Sequence, residues 1–448
     1  MKLRVPHTFV LLFLLIVAAA AATWLIPAGE YARVERDGRT LVDPGSYHRL
    51  EPQPAGLKEI VLAYPRGLAA TAAIVFYIFL IGGAFGVITA TGAVDAAIGY
   101  AVRAARGRGP WVVALLMLLF AIGGGTIGMA EETLPFLPAL VILAKRLGYD
   151  ETTGAAIALV GAGAGFSGAF LNPFTVGVGQ GIAGLPLFSG MGYRVIVWAV
   201  VTAIAMVYVL RYAAKVRKDV AAAAEENDAD ATPGLRQKLV LVALLAGLAL
   251  VVVGALYWAW GILELAGLFV GLAVVAGLVG GLGADATAEK FLEGAAGIAG
   301  GALVVGLARG VLVVFDGARV TDTILHAMAG VVQGLPAQVS ILGIYAVQVL
   351  LSYLVPSGSG QAALSLPILV PLADLVGVTR QTSVLAYQFG DGFSNIFTPT
   401  QGYFMAGLAL AGIPWTRWAK FLWPLQLMWL VAGLALLLIA HAIHWGPF

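Results

Sequence analysis

The chain has no cysteine, which removes disulfides, thiolate nucleophiles and Cys-ligated zinc or iron–sulfur centres. Ionised side chains are also scarce: 26 Lys+Arg and 24 Asp+Glu make 11% of 448 residues, against roughly 25% in ordinary soluble domains. A compact soluble body coats itself with polar side chains, and so few cannot cover this one, so lipid is the solvent for most of its surface. The net charge is only +2 and no long Lys/Arg run occurs, so nucleic acid is not an expected partner. The five histidines, His7, His48, His326, His441 and His444, fall near segment ends. His441 and His444 read as an interfacial pair rather than a metal site, and no cofactor is expected.

In excess are apolar residues, 60% of the chain, and glycine, 58 residues, at nearly double the usual ~7%. Small residues let membrane helices approach closely or unwind. The expected fold class is an all-α polytopic membrane protein with broken helices among its spans. Thr8–Pro27 is apolar and long enough to cross ~30 Å of hydrocarbon, and reads as a first transmembrane helix rather than a signal peptide because further spans follow. Gly29–Arg66 is expected to be an ordered external loop and Gly67–Val94 the next span, after which Arg103, Arg106 and Arg108 mark the cytoplasmic side.

Pro110–Ile122 is apolar but short, and Gly123-Gly124-Gly125-Thr126-Ile127-Gly128 is expected to break any helix before apolar Thr133–Ala144. Basic residues at both ends predict an inward-opening re-entrant hairpin over 110–146, where irregular backbone needs protein or water around it. Residues 153–187, with Gly161, Gly163, Gly165, Gly168 and Asn172-Pro173, read as a helix broken near its middle. Val195–Tyr212 returns inward to a polar cytoplasmic linker, 215–238. The second half crosses at Leu239–Tyr257, Ala266–Leu282 and Phe291–Phe315, and Gly317–Gln338 lies at the interface. An outward-opening hairpin, 338–375, is tipped by Pro356-Ser357-Gly358-Ser359-Gly360, and a second broken helix, 379–411, is interrupted at Gly390–Pro399. With Phe421–Ile439 the tally is about nine transmembrane helices plus two re-entrant hairpins, N-terminus inside and C-terminus outside.

Self-similarity is the strongest signal. Gly163-Ala164-Gly165-Phe166-Ser167 recurs as Gly390-Asp391-Gly392-Phe393-Ser394, each shortly before Asn172-Pro173 or Thr398-Pro399. Leu134-Pro135 matches Leu366-Pro367, and Ala183-Gly184-Leu185-Pro186 matches Ala411-Gly412-Ile413-Pro414. Opposite hairpin directions make these two inverted repeats, residues 1–214 and 239–448. Gly/Pro-interrupted segments at corresponding places in two halves point to the central site of a secondary transporter. Glycines that only pack helices are the alternative, yet packing needs neither polar residues beside the breaks nor prolines within them.

The literal G-x-G-x-x-G at Gly163–Gly168 follows no strand and is no dinucleotide site. No Walker lysine or nucleophile elbow occurs, so transport energy comes from an ion gradient or exchange. Near the first tip stand Thr126, Glu131 and Glu132; acids at such depth are functional candidates, unless the pair lies at an interface. The second tip offers Ser357, Ser359 and Gln361. The breaks add Ser167, Asn172 and Thr175 on one side and Asp391, Ser394, Asn395, Thr398 and Thr400 on the other. Glu131, Ser167, Asp391 and Ser394 are the candidate coupling-ion ligands, and the remainder, with Glu132, the candidate substrate ligands. Asp391 takes the place of Ala164 of the first copy, which suits a charged ligand or a proton; capping of a helix end is the alternative. Arg309, alone in an apolar span, either pairs with Asp316 two turns on or meets a substrate carboxylate.

Val5-Pro6-His7-Thr8-Phe9, Trp24-Leu25-Ile26-Pro27-Ala28-Gly29-Glu30-Tyr31, Gly128-Met129-Ala130-Glu131-Glu132, Ala308-Arg309-Gly310, Thr321-Asp322-Thr323-Ile324-Leu325 and Pro356-Ser357-Gly358-Ser359-Gly360-Gln361 carry a resemblance across nearly the whole chain. With them the sequence resembles the C4-dicarboxylate anaerobic carrier family, most closely its YfcC-like branch, which also includes arginine/ornithine antiporter-like proteins. That family sits in the ion transporter superfamily, and the resemblance implies a homodimer with scaffold and mobile transport domains working as an elevator. The Ser-Asn-Thr triplets of that superfamily's divalent anion symporters are missing from the tips, which leaves H⁺ and Na⁺ both open as coupling ion.

The resulting expectation is a secondary transporter in the bacterial inner membrane, moving a small carboxylate-bearing metabolite, a C4-dicarboxylate or an amino acid, by symport or exchange. Its partners are that small molecule, membrane lipid and a second copy of the chain. A basic amino acid antiporter and a channel lined by the hairpins are the alternatives; an enzyme is not expected, because no nucleophile–base pair is present.

Overall fold

The computed structural model describes residues 8–36, 39–94, 96, 108–217, 234–258, 260–335 and 337–446. Met1–His7, Arg103, Arg106 and most of the expected 215–238 linker lie outside the described residues.

Eighteen α-helices make up most of what is described. Helix α1 (Thr8–Ala22) leads into two antiparallel ribbons, β1 (Gly29–Glu30) with β4 (His48–Arg49) and β2 (Arg33–Arg36) with β3 (Arg39–Val42). Helices α2 (Leu57–Ala70) and α3 (Ala72–Ala90) are separated at Thr71. Then come α4 (Gly109–Thr126), a 3₁₀ turn (Glu131–Phe136) and α5 (Leu137–Arg146), followed by α6 (Glu151–Ser167), a π turn (Pro173–Gly177), α7 (Val178–Ile182) and α8 (Met191–Val216). The second half contains α9 (Leu235–Tyr257), α10 (Ile262–Gly280), α11 (Ala284–Gly297), α12 (Ala299–Gly317) and α13 (Thr321–Gln333). It ends with α14 (Ala337–Ser352), α15 (Gly358–Leu375), α16 (Arg380–Asn395), α17 (Gly402–Leu410) and α18 (Trp415–Ala442). Among the described residues α3, α4, α8, α10 and α18 are long and apolar enough to cross a bilayer, and α11 with α12, bent by 41°, is either a broken sixth span or a re-entrant segment.

Within the expected loop, Gly29–Arg66, the described residues form the two ribbons and then, from Leu57, the start of α2, so the loop ends earlier than expected. Tyr31 N donates to Asp322 Oδ2 at 2.9 Å and Arg33 pairs with Asp322 Oδ1 at 3.0 Å, which moors the ribbons to α13. The inner layer repeats one motif twice: α4 and α5 pack on α6, α14 and α15 pack on α16, and α6 and α16 meet in the middle. Asp150 caps α6 through Thr153 N at 2.9 Å, and Thr379 caps α16 through Thr382 N at 3.3 Å. Gln381 to Asn395 of α16 are buried without exception, although Gln, Thr, Ser, Asp and Asn make up much of the helix. A helix that is polar and buried all round must satisfy its side chains internally, unlike an ordinary span.

Three breaks fall later than the glycines predicted. Helix α4 runs straight through Gly123-Gly124-Gly125 to Thr126, α6 through Gly161, Gly163 and Gly165, and α16 through Gly390 and Gly392. These glycines admit a neighbouring backbone: a Cβ on Gly124 would lie 2.2 Å from Ala162 O, and one on Gly165 2.0 Å from Ala121 O. Close helix packing therefore accounts for the glycines themselves. The chain leaves helix downstream of these glycines, at Ile127–Ala130, Gly168–Asn172 and Ile396–Gln401, whereas at the second tip it leaves upstream of the expected Pro356–Gly360 breaker, at Tyr353–Ser357, and Gly358-Ser359-Gly360 already open α15.

Candidate functional site

The site forms where α6 crosses α16. A Cβ on Gly392 would stand 2.6 Å from Ser167 Cα, so the two helices touch one residue short of the first break. In that break Phe170 N and Leu171 N both donate to Gly125 O, at 3.2 and 3.1 Å. Asn172 then restarts the chain as a cap, its Oδ1 accepting from Phe174 N at 2.8 Å and Thr175 N at 3.3 Å. Gly128, at φ +73°, brings the first tip against Asn172: a Cβ there would lie 2.6 Å from Asn172 Oδ1.

The second tip reaches the same place. Gly358, first residue of α15, sits so that a Cβ would be 3.0 Å from both Asp391 Oδ2 and Thr175 Cγ2. Tyr387 donates its hydroxyl to Gly358 O at 2.6 Å and holds the tip down on α16. Asn395 Nδ2 donates to Asp391 Oδ2 at 3.2 Å, and Gln401 Nε2 to Asn395 Oδ1 at 2.7 Å. Gln361 Nε2 donates to Gln348 O and Oε1, at 2.9 and 2.8 Å, tying α15 to α14. Thr398 and Thr400 pair at 2.8 Å, and Thr400 donates to Tyr353 O at 3.4 Å.

Thus Asn172, Thr175, Gln361, Asp391, Asn395, Thr398 and Thr400 are buried, and Gly358 brings Thr175 and Asp391 together. Other candidates stand apart. The Ser167 hydroxyl donates to Gly163 O, and that of Ser394 to Gly390 O and Asp391 O, so both are committed to their own helices. Ser357 caps α15 through Gly360 N at 3.3 Å, and both it and Ser359 are exposed at the tip. Thr126 donates to Ile122 O. Glu131 and Glu132 are half-buried in the 3₁₀ turn, where Glu132 accepts from Ala130 N at 3.0 Å. Tyr403 of α17 lies within electrostatic reach of Glu131, Glu132 and Asp391. Arg309 interacts with Asp316, and among the described residues no hydrogen bond joins it to the tips.

Four buried atoms, Asp391 Oδ1, Thr175 Oγ1, Asn172 Nδ2 and Gln361 Oε1, have no hydrogen-bond partner among the described residues. Native interiors seldom leave such groups unpaired without a ligand or water in view. An acid, a hydroxyl and two amide groups suit a polar or cationic ligand. Sequence reading missed Gln348, Tyr387 and Gln401, and also Arg194 with Gln381 and Gln388, although glutamine inside apolar runs was a readable sign.

Polar breaks meeting inside an apolar helical body mark the class as a multi-pass membrane transporter. Residues 5–442 match the C4-dicarboxylate anaerobic carrier family, and the chain belongs to it. Similar proteins include YfcC of Escherichia coli, provisionally named a basic amino acid antiporter, 34% identical over 465 residues, 93% of this chain and 92% of that one. An uncharacterized protein of Haemophilus influenzae is 28% identical over 496 residues, 98% and 97% of the two chains. Among solved structures, the Alcanivorax borkumensis YdaH transporter aligns at a TM-score of 0.44 and 18% identity over 99% of this chain and 100% of that one. Neisseria gonorrhoeae MtrF, of a class described as antimetabolite efflux pumps, aligns at 0.42 and 18% over 98% and 95%.

Proposed function

We propose that the chain is a secondary active transporter of a small carboxylate-bearing metabolite across the inner membrane, coupled to H⁺ or Na⁺ or working by exchange. Substrate lies between Thr175, Asn395 and the tip at Gly358, and Asp391 takes the coupled charge. The observation that carries this is Gly358 of the second tip standing against Thr175 and Asp391, whose Oγ1 and Oδ1 are buried with no hydrogen-bond partner among the described residues. Two inverted repeats, 1–214 and 239–448, each bear a re-entrant hairpin and a broken helix among about nine spans. They alternate access as an elevator within a homodimer, N-terminus inside and C-terminus outside.

The family name favours a C4-dicarboxylate and the E. coli relative's name a basic amino acid. For the amino acid speaks Asp391, since among the described residues no arginine or lysine hydrogen-bonds to Asp391, Asn172, Thr175, Gln361 or Asn395. Counterflow in proteoliposomes with succinate, arginine and ornithine as probes tests both. Thr175→Ala with Asn395→Ala should abolish saturable counterflow of whichever probe the wild type carries, while full activity in that variant would remove the site. Ohmic current in place of saturable counterflow would make the protein a channel.

A further inference from the structure

Arg194, in the first turn of α8, is fully buried, and among the described residues it pairs with no carboxylate. A guanidinium removed from water is costly unless its donors are met. Here Nη1 donates to Gln388 Oε1 and Nη2 to Gln381 Oε1 at 3.4 Å, and the charge lies 5.3 Å from the centroid of the Trp445 ring. Two neutral amides and an aromatic face thus meet a charge that a carboxylate would ordinarily balance, while Nε stays buried with no partner among the described residues.

Gln388 connects that charge to the site. Its Nε2 donates to Ser167 O at 3.0 Å and Ala169 O at 2.9 Å, carbonyls released where α6 ends. Those carbonyls form the negative pole of α6, so guanidinium, amide and helix end line up with every dipole in the same sense. Gln381 Oε1 also accepts from Gln180 Nε2 at 3.2 Å, and Gln180 donates to Ser189 O at 2.9 Å, which fixes the turn leading into α8. This polar network links α6, α8 and α16, although among the described residues Arg194 Nε and Gln180 Oε1 are left without a partner. The break after Ser167 is therefore gripped twice, by Gly125 O at its N–H groups and by Gln388 at its carbonyls.

We propose that Arg194 is a positioning residue of the transport site: through Gln388 it fixes the first break and so sets where Asn172 and Thr175 stand against Asp391 and Gly358. This rests on the break belonging to the site proposed above, but its test does not require transport. Without a cation at 194 Gln388 is free to turn, and Gly168–Leu171 loosens while the body of the protein stays as it is.

Because the chain has no cysteine, one introduced thiol reports alone. Leu171→Cys in the first break and Phe397→Cys in the second are reacted with N-ethylmaleimide in otherwise wild-type, Arg194→Met, Arg194→Lys and Gln388→Leu proteins. Arg194→Met and Gln388→Leu should each speed labelling at 171 by about tenfold and leave 397 within twofold. The double variant should be no faster than Gln388→Leu alone, and Arg194→Lys, which keeps a charge for Gln388, should recover most of the protection. An equal rise at both breaks would show Arg194 to be a general brace of the fold. No rise at 171 in Gln388→Leu, or additive rates in the double variant, would also overturn the proposal.

Discussion

Gly358→Ala places one methyl group at the point where tip and break converge. Its Cβ would lie 3.0 Å from Asp391 Oδ2 and 3.0 Å from Thr175 Cγ2, against an optimum of roughly 3.5–4.0 Å between carbons, so the neighbours must yield by about half an ångström. Tyr387, bonded to Gly358 O at 2.6 Å, keeps the tip from drifting away. Overpacking by a methyl costs about 1–3 kcal/mol, and Gly358, as the first residue of α15, is not an interior glycine whose replacement offsets this. Melting in detergent should therefore fall by the equivalent of about 1–3 kcal/mol, and the closed, loaded tip carries the same strain. At 1.4 kcal/mol per tenfold, the half-saturating concentration in counterflow should rise about 5- to 150-fold. Gly300→Ala, where a Cβ meets nothing within 4 Å, is the matched control. A half-saturation within twofold of wild type in Gly358→Ala would refute the placement of substrate under this tip.

Gly165→Ala sets a Cβ 2.0 Å from the backbone oxygen of Ala121; α4 and α6 must part, and the melting temperature should fall by an amount matching about 3 kcal/mol or more, an unchanged melt contradicting the packing argument. Asp150, in the turn before α6, is pushed up by burial, but hydrogen bonds from Tyr212 and Thr153 and the Arg417 guanidinium outweigh this and hold its carboxyl below the ordinary 3.8. Its folded value lies below its unfolded one, so the stability it adds is complete above about 3.8 and lost as pH falls through the lowered value. Wild type should thus lose melting temperature below that pH more steeply than Asp150→Asn, and parallel melting curves would deny the role.

Polar candidates are easier to single out in this sequence than the places where its helices break. Asp391, Asn395, Thr175 and Asn172 stood out because polar residues beside glycine and proline in an apolar run have no cheap explanation. Break positions were misplaced by about a turn, since Gly124 and Gly165 look the same in sequence whether they end a helix or let another press against it. Only the partner backbone, Ala162 O or Ala121 O, decides between the two. Ser167 and Ser394 read as free ligands, yet a serine in a helix can donate to the carbonyl four residues back, and both do. Arg194 escaped notice because it precedes the apolar run of α8 and its partners, Gln381 and Gln388, lie nearly two hundred residues away.

Asp391→Asn reaches the coupled charge most directly. Asparagine keeps the size of the side chain and an oxygen for Asn395 Nδ2 to meet at 3.2 Å, so the variant should fold and melt close to wild type. Accumulation of labelled arginine, ornithine and succinate in proteoliposomes, under an imposed proton gradient and separately a sodium gradient, is the measurement. If Asp391 takes the coupled charge, the variant accumulates none of the compounds that wild type concentrates; accumulation equal to wild type under the same gradient would contradict it.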